Sequence, residues 1–294
     1  MSRRLKIILA IVVFVALSAV GYTQRTRVMD TWRETERPSV PAVSFKDIKN
    51  DPPAQMPEPE PIISQPSAEP TPTPPNIPTP GNPFPEQNNP PPPSDSPTPS
   101  TLPASFNLAV PFTPQAPFAN WDEVHEDACE EASIYMAHLF YEGVPAGRVD
   151  AQTAEDEILR LVEAEKKMFG TYLDTNAEET ARLAKEFYGY KRVDLLVNPT
   201  VDDLKHHLVA GRPIVIPVAG QYIGNPYFTA PGPDYHMLLI RGYTKDGFLT
   251  NDPGTKRGEG YLYPYDTLMN AIHDWNPPND ILEGRKVVLV MYPK

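Results

Sequence analysis

The chain has 294 residues, and 21 of its 38 prolines lie within the 52 residues from Pro52 to Pro103. Because that stretch has few branched or aromatic side chains, the composition excludes one uniform globule and leaves residues 105–294 as the folded part. The folded part holds 17 Lys and Arg against 28 Asp and Glu, most of the net charge of −12, which disfavours nucleic acid as a partner. A single cysteine, Cys129, excludes an intrachain disulfide.

The N-terminal residues predict a membrane anchor. Cations in MSRRLK precede an apolar run from Ile7 to Tyr22, the order found in signal peptides and signal anchors. At 1.5 Å per residue this run spans roughly 24 Å, enough to cross a bilayer if Lys6 and Arg25 reach its two surfaces. Since no good cleavage triplet follows, we expect residues 1–24 to remain as an uncleaved signal anchor rather than a removed signal peptide. The chain would then be a single-pass protein of the cell membrane whose C-terminal domain is extracytoplasmic.

Residues 25–104 are predicted to be a disordered, Pro-rich stalk. Because each proline ring fixes φ, a polyproline conformation extends up to ~3.1 Å per residue, so the Pro-rich stretch reaches at most ~160 Å. Such a spacer would carry a domain across a cell-wall layer. A PxxP ligand for a docking domain is the alternative interpretation.

Helical periodicity follows in the first part of residues 105–294. Apolar side chains recur at helical spacing after Cys129, and Gly143 is a natural C-terminal stop. Acidic residues three positions after a threonine are typical of helix N-terminal caps. Four helices are therefore predicted: from Cys129 to Gly143, from Thr153 (with Asp156) to Met168, from Thr175 (with Glu178) to Gly189, and from Thr200 to the residue before Gly211.

The remaining part of the chain has the patterns of strands. Five strands are predicted, over residues 213–218, 236–243, 247–252, 260–265 and 286–292. Lys245, Asp246 and Gly247 predict a hairpin turn between the second and the third strand. Helices first and a mostly antiparallel sheet second indicate an α+β fold in which the helices pack on the sheet.

Three of these residues form a candidate catalytic group. Cys129 opens a helix, where unpaired N–H groups and the positive end of the helix dipole favour a thiolate. His236 begins one strand of the hairpin and Asp252 ends the next, so the two side chains would meet at one sheet edge, where the carboxylate orients the imidazole. Each residue also has a plainer interpretation, respectively a buried structural cysteine, a hydrogen-bonded histidine and an Asx-turn residue.

The sequence predicts no metal and no cofactor. His206 and His207 are adjacent on a predicted helix and therefore face different directions, which does not suit two ligands of one metal ion. The chain has neither an HExxH motif nor a Gly-rich phosphate loop.

Three segments resemble one known family. They are VPFTPQAPFANWDEVHEDACEEAS, the later GQYIGNPYFTAPGPDYHMLLIRGY, and two strands that end in NDPG. In combination they resemble the peptidase-family-thirty-nine-like proteins, papain-fold cysteine peptidases related to the double-glycine leader peptidases that process bacteriocin precursors. The resemblance covers about Phe106 to Tyr292 and implies a papain-like fold for the folded domain at residues 105–294.

Carried over residue by residue, the resemblance implies that Cys129 is the nucleophile, His236 the general base and acid, and Asp252 the third member of a triad. Gln115 would be the oxyanion-hole donor, with its side-chain amide directed at the developing negative charge. Glu130 and Glu131 stand where the leader peptidases usually have a glycine. Two carboxylates beside a thiolate raise its pKa by like-charge repulsion unless they point away or form a pair.

These features favour a membrane-tethered, extracytoplasmic cysteine peptidase that hydrolyses peptide bonds through an acyl-enzyme. Its expected partners are a peptide or protein substrate and the membrane, with possible proximity to a cell wall. Two alternatives stay open. One is an amidase or endopeptidase directed at peptidoglycan, and the other is a catalytically inactive peptide-binding module.

Overall fold

The structure is a computed structural model that describes residues 39–50 and 102–294. The predicted anchor at residues 1–24 and the Pro-rich stretch lie outside these ranges. Within the two ranges, no helix has both the length and the apolar character needed to cross a membrane.

The described residues form helices and one sheet. The helices are α1 (Phe45–Asn50), α2 (Glu123–Glu126), α3 (Cys129–Tyr141), α4 (Ala151–Phe169), α5 (Ala177–Tyr188), α6 (Val201–Val209) and α7 (Tyr265–Ala271). The strands are β1 (Phe106–Asn107), β2 (Val193–Val197), β3 (Ile214–Ala219), β4 (Tyr235–Tyr243), β5 (Gly247–Asn251), β6 (Tyr261–Pro264) and β7 (Val287–Met291). Short 3-10 turns occur at Gly220–Tyr222 and Ile281–Glu283.

The sheet has the order β2-β7-β3-β4-β5-β6, with β1 paired to β4, and all of these pairings are antiparallel. All nine residues of β4 are buried. Helix α3 packs on β4, and Ser133 Oγ donates to Met237 O at 3.2 Å. The prediction of helices packed on an antiparallel sheet is therefore confirmed, and the hairpin turn lies between β4 and β5 as expected.

Four predicted helices are present as α3, α4, α5 and α6, but two of them begin at different caps. Asp150 caps α4, because its carboxylate accepts from both Thr153 N and Thr153 Oγ1 at 3.0 Å. Asn176 caps α5 in a capping box with Glu179. Thr175 was the wrong residue for that cap, since its N–H donates to a carboxylate of α3 instead. The cap of α5 is therefore one residue after the predicted one, and the cap of α4 is three residues before it.

The elements β1, β2, α2 and α7 were not predicted. Each of them is short or lacks a clear hydrophobic periodicity. Strand pairing or helix packing determines their positions, rather than the residue pattern of the element itself. Strand β2, for example, owes its place to five consecutive pairings with β7.

Residues 39–50 were predicted to belong to the stalk, and this part of the prediction is wrong. Val43 N donates to Asn107 O at 2.8 Å, and Ala109 N donates to Val43 O at 2.8 Å. Ile48, on α1, is 8% exposed and lies in the core. A Cβ at Gly211, which has φ of +78°, would meet Ile48 at 2.8 Å, so the domain leaves room for this side chain. We call residues 39–50 the docked segment.

Candidate active site

Helix α3 places Cys129 against strand β4. The N-cap residue, Ala128, makes no side-chain capping bond, so the first-turn N–H groups have no oxygen from it. Cys129 is 3% exposed. Its Sγ donates to Glu130 Oε2 at 2.9 Å and accepts from Met237 N at 3.2 Å. The thiol is therefore held at the residue that follows His236 on β4.

The acidity of this thiol differs from the expectation. Burial raises the pKa of Cys129 well above its usual range, and the negative charges of Glu130 and Asp174 raise it further. Only the N–H of Met237 acts in the opposite direction. In this structure burial first, and then the nearby carboxyl groups, oppose the thiolate that the helix N-terminus was expected to favour.

The strand side of the site is a buried, hydrogen-bonded pair, His236 and Asp252. His236 Nε2 donates to Asp252 Oδ1 at 2.8 Å, and the two residues are 2% and 0% exposed. Gly254 N also donates to Oδ1, while Asn225 Nδ2 and Tyr263 Oη donate to Oδ2 at 2.8 and 2.6 Å. Burial alone would raise the pKa of Asp252, but His236, Tyr263 and Asn225 together lower it. The Asp252 carboxylate is therefore ionised, and each of its two oxygens accepts two hydrogen bonds.

The imidazole has a fixed position. Because Nε2 carries the proton donated to Asp252, Nδ1 of the neutral ring is left as an acceptor. The ring of Phe228 contacts the imidazole edge-on, with centroids 5.4 Å apart. A Cβ at Gly254 would approach His236 Cε1 to 3.0 Å, so a glycine at this position leaves space for the ring. The predicted meeting of His236 and Asp252 is present.

Gln115 does not have the predicted orientation. The side chain is buried, and its Nε2 donates to His125 O at 2.9 Å and to Glu126 O at 3.0 Å. Both N–H groups of the amide are thereby used, and Oε1 has no partner. Gln115 therefore fixes the turn before α3 rather than offering an N–H to an oxyanion.

The sequence analysis did not identify several residues near the site, and it noted one other without predicting its contacts. Asn225 and Tyr263, which hold Asp252, carry no motif of their own. Asp174 lies in the turn between α4 and α5, and burial together with Asp127 raises its pKa to about 7. Glu130 was noticed as unusual, and its Oε1 accepts from Thr175 N at 2.9 Å.

Two further carboxyl groups are buried behind Cys129. Glu131 and Glu165 are 0% and 1% exposed, and neither oxygen of Glu131 has a hydrogen-bond donor. Burial raises the pKa of Glu165 to about 8, and the charges of Glu130 and Glu179 add to that effect, while Glu131 acts in the opposite direction. Burial and then Glu165 raise the pKa of Glu131 as well. Uptake of a proton by this pair would relieve their repulsion.

A cleft of about 900 Å³ opens at His236. One wall comes from residues 114–127 and carries Glu126 and Asp127, while the other comes from residues 226–229 and 254–257. Cys129 is not among the lining residues. Among residues 39–50 and 102–294, no group of three or more His, Cys, Asp and Glu side chains is arranged to hold a metal ion.

The family model described as the Peptidase_C39 like family matches residues 107–280. This chain belongs to that family. Among solved structures, it is similar to one assigned to a C39-like peptidase from Bacillus anthracis, with 16% sequence identity and a TM-score of 0.44. That match covers 65% of this chain and 98% of the other. A search of curated proteins finds no match.

Proposed function

We propose that this member of the Peptidase_C39 like family is a cysteine peptidase with Cys129 as nucleophile, His236 as base and acid, and Asp252 as the residue that orients the imidazole. The main support is the buried His236–Asp252 pair, with a 2.8 Å bond, one residue before the backbone N–H that holds the thiol. An ionised carboxylate on Nε2 keeps Nδ1 ready to accept a proton and stabilises the imidazolium that forms.

The reaction begins when the Cys129 side chain leaves Glu130 and turns toward the cleft. His236 Nδ1 takes the thiol proton, and Sγ attacks the carbonyl carbon of a peptide bond. The imidazolium then returns the proton to the leaving amine, which departs and leaves a thioester on Cys129. Water, deprotonated by the same imidazole, hydrolyses the thioester and restores the thiol.

The oxyanion formed in the first step needs hydrogen-bond donors. Since Gln115 uses both of its N–H groups on backbone carbonyls, the donors are the backbone N–H groups in the uncapped first turn of α3. These groups point along the helix axis toward the nucleophile, where the positive end of the helix dipole also stabilises negative charge.

Profiling of the full-length chain tests this function. The chain is incubated with a peptide library and, separately, with purified murein, and Cys129→Ala and His236→Ala variants serve as controls. We expect cleavage of library peptides that both variants lack. Cleavage confined to murein cross-links would favour the amidase, and specific peptide binding without cleavage would favour the inactive module.

The domain is, in this proposal, tethered to the outer face of the cell membrane by residues 1–24. The support for this tether is the apolar run flanked by cations. The docked segment makes the tether shorter. With residues 39–50 on the domain, only residues 25–38 separate the domain from the anchor, a reach of roughly 50 Å when fully extended. The domain would then work close to the membrane, on substrates of the inner cell wall or the membrane surface.

Two measurements test the tether. The full chain should sediment with membranes and resist a carbonate wash, whereas recovery of a soluble chain that begins near residue 20 would show a removed signal. Amide hydrogen exchange measures whether the docked segment stays bound to the domain. We expect slow exchange at Val43 and Ala109, fast exchange in Ile48→Asp, and unchanged exchange in the control Lys49→Ala on the exposed side of α1. Fast exchange at Val43 in the parent chain would contradict the docking.

A further inference from the structure

Two carboxylates that line the cleft have no partner for their charges among the described residues. Glu126 and Asp127 line the cleft three and two residues before Cys129. Within the described residues, neither carboxylate accepts a hydrogen bond or forms an ion pair. Burial raises the pKa of Asp127, and the charge of Glu126 adds to it. An unpaired, half-buried carboxylate is costly, which is why such groups in a cleft are typical of ligand sites.

Asp174 connects this wall to the catalytic residues. Its carboxyl is close enough to Asp127, to His236 and to Cys129 for their charges to act on one another. The turn that carries Asp174 is fixed, because Thr175 N donates to Glu130 and Thr175 O accepts from Tyr235 Oη at 2.9 Å. We call Glu126 and Asp127, which line the cleft, together with Asp174, which does not, the acidic wall.

An independent observation indicates the same kind of ligand. Gln115 is 3% exposed and lines the cleft, and its Oε1 has no donor. The Nε2 atom of the same amide is bonded to the backbone oxygen of Glu126, the first residue of the acidic wall. Carboxylates and an amide oxygen are acceptors only, so the complementary ligand is a cation that carries several N–H donors.

The cations of the opposite wall do not fill this role. Lys256 is exposed and forms no side-chain ion pair within the described residues. The guanidinium of Arg257 lies over the ring of Tyr227, with 4.9 Å to the centroid. The acidic wall is therefore left for a charge from outside the chain.

We propose, on the basis of the proposed function, that the acidic wall binds a cationic group of the substrate, an ammonium or a guanidinium, and that this binding activates Cys129. Peptides with a lysine or arginine side chain, or a free amino terminus, next to the scissile bond are the substrate class. Without a bound substrate, burial keeps the thiol protonated, and the charges of Glu130 and Asp174 add to that effect. A cation bound at the acidic wall offsets the charge of Asp174, so the thiolate forms more readily when a correct substrate is present. By linkage, the thiolate strengthens binding of the cation to the same degree.

The first test measures binding without catalysis. The full-length Cys129→Ala variant is titrated with blocked peptides that contain arginine or its neutral isostere citrulline, and Trp121, which lines the cleft and is 43% exposed, reports by fluorescence. We expect the arginine peptide to bind about tenfold more tightly at low salt, an advantage that salt reduces. A peptide with a free amino terminus and no basic side chain distinguishes the two sources of the cation. Equal affinity for arginine and citrulline peptides would overturn the proposal.

Charge variants separate a subsite from the general field of an acidic domain. Asp127→Asn and Asp174→Asn should remove most of the preference for arginine. The control is Asp202→Asn, which removes one exposed charge near Tyr243 at the far end of β4, about 25 Å from His236 at the strand's rise per residue. An equal loss in the Asp202 variant would show a field effect and overturn the subsite.

The second test measures activation in the chain with Cys129 intact. Alkylation of this single cysteine by iodoacetamide at pH ~7 should be several-fold faster with methylguanidine than with its neutral isostere methylurea at equal ionic strength. Asp127→Asn should abolish the difference. Equal rates with the two additives would contradict the coupling. Neither test requires hydrolysis, so a failure of the proposed peptidase activity remains distinguishable from a failure of this subsite.

Discussion

The strand side and the helix side of the candidate site differ in how their charges are balanced. On the strand side, one carboxylate, Asp252, receives four hydrogen bonds, including the one from His236. On the helix side, neither carboxylate oxygen of Glu131 accepts a hydrogen bond. Glu130 accepts a hydrogen bond from the thiol of Cys129, the proposed nucleophile. In the proposed mechanism, the base is thus prepared in advance, while the thiol donates its proton to Glu130.

The difference suggests where control of the reaction resides. A satisfied His236–Asp252 pair needs no ligand to adopt its working geometry. Burial and the neighbouring carboxyl groups raise the pKa of the thiol, in contrast, and in our proposal a bound cation reduces the part that is due to those charges. Comparison of variants on the two sides can therefore separate assembly of the site from its activation.

The largest effect is expected from loss of the carboxylate on the strand side. Asp252→Ala leaves His236, Asn225 and Tyr263 without their buried acceptor, so we expect the free energy of unfolding to fall by about 3–5 kcal/mol. Urea unfolding of the full chain measures the change. Tyr263→Phe removes one of the four donors and should cost only about 1 kcal/mol. A fall of less than 1 kcal/mol in Asp252→Ala would contradict the buried network.

The sequence predicted the strand side better than the helix side, and the reason is local. A short turn joins β4 to β5, so the strand ends away from that turn, which carry His236 and Asp252, meet at one sheet edge despite a register shift between Ile240 and Gly242. The start of α3 at Cys129 is likewise a local signal. The partners that decide the chemistry are distant along the chain, as with Thr175 for Glu130 and Tyr263 for Asp252.

Gln115 and the docked segment show two other limits of sequence analysis. The residue type of Gln115 suits an oxyanion hole, but two backbone carbonyls at the end of α2 compete for the same N–H groups and take both. The place of the docked segment depends on a gap at Gly211 that only the folded domain creates. Neither choice of partner can be read from local pattern or spacing.

A second prediction concerns stability at the helix side. The pKa of Glu165 is about 8 in the folded chain against 4.5 as its ordinary value, so the folded state binds more protons between these values. Stability should therefore be highest below pH ~4.5 as far as this group is concerned, and should fall as the pH rises toward 8. This is the reverse of an ordinary paired carboxylate such as Asp252.

Glu165→Gln tests that assignment. The amide can donate to Glu131, which lacks a donor, so the variant should be more stable than the parent chain by about 1–3 kcal/mol at pH 8, with little gain at pH 5. Unfolding curves at the two pH values measure this. The control is Glu163→Gln on the exposed side of α4, which should change stability by less than about 0.5 kcal/mol. An equal gain at both pH values would show that titration of Glu165 is not the cause.

The smallest effect is a shift in thiol reactivity produced by one atom. In Glu130→Gln, Oε1 can still accept from Thr175 N, while the new amide donates to Cys129 Sγ where a carboxylate oxygen now accepts. Both the lost negative charge and the new donor lower the pKa of the thiol, so the alkylation profile should move to lower pH by about one unit, or tenfold in rate at fixed pH. Iodoacetamide labelling from pH 6 to 10 measures it. The same change at Glu163 should leave the profile in place. An unchanged profile in Glu130→Gln would mean that the carboxyl of Glu130 bears no charge that acts on the sulfur, and the cation-dependent activation of Cys129 would then rest on Asp174 alone.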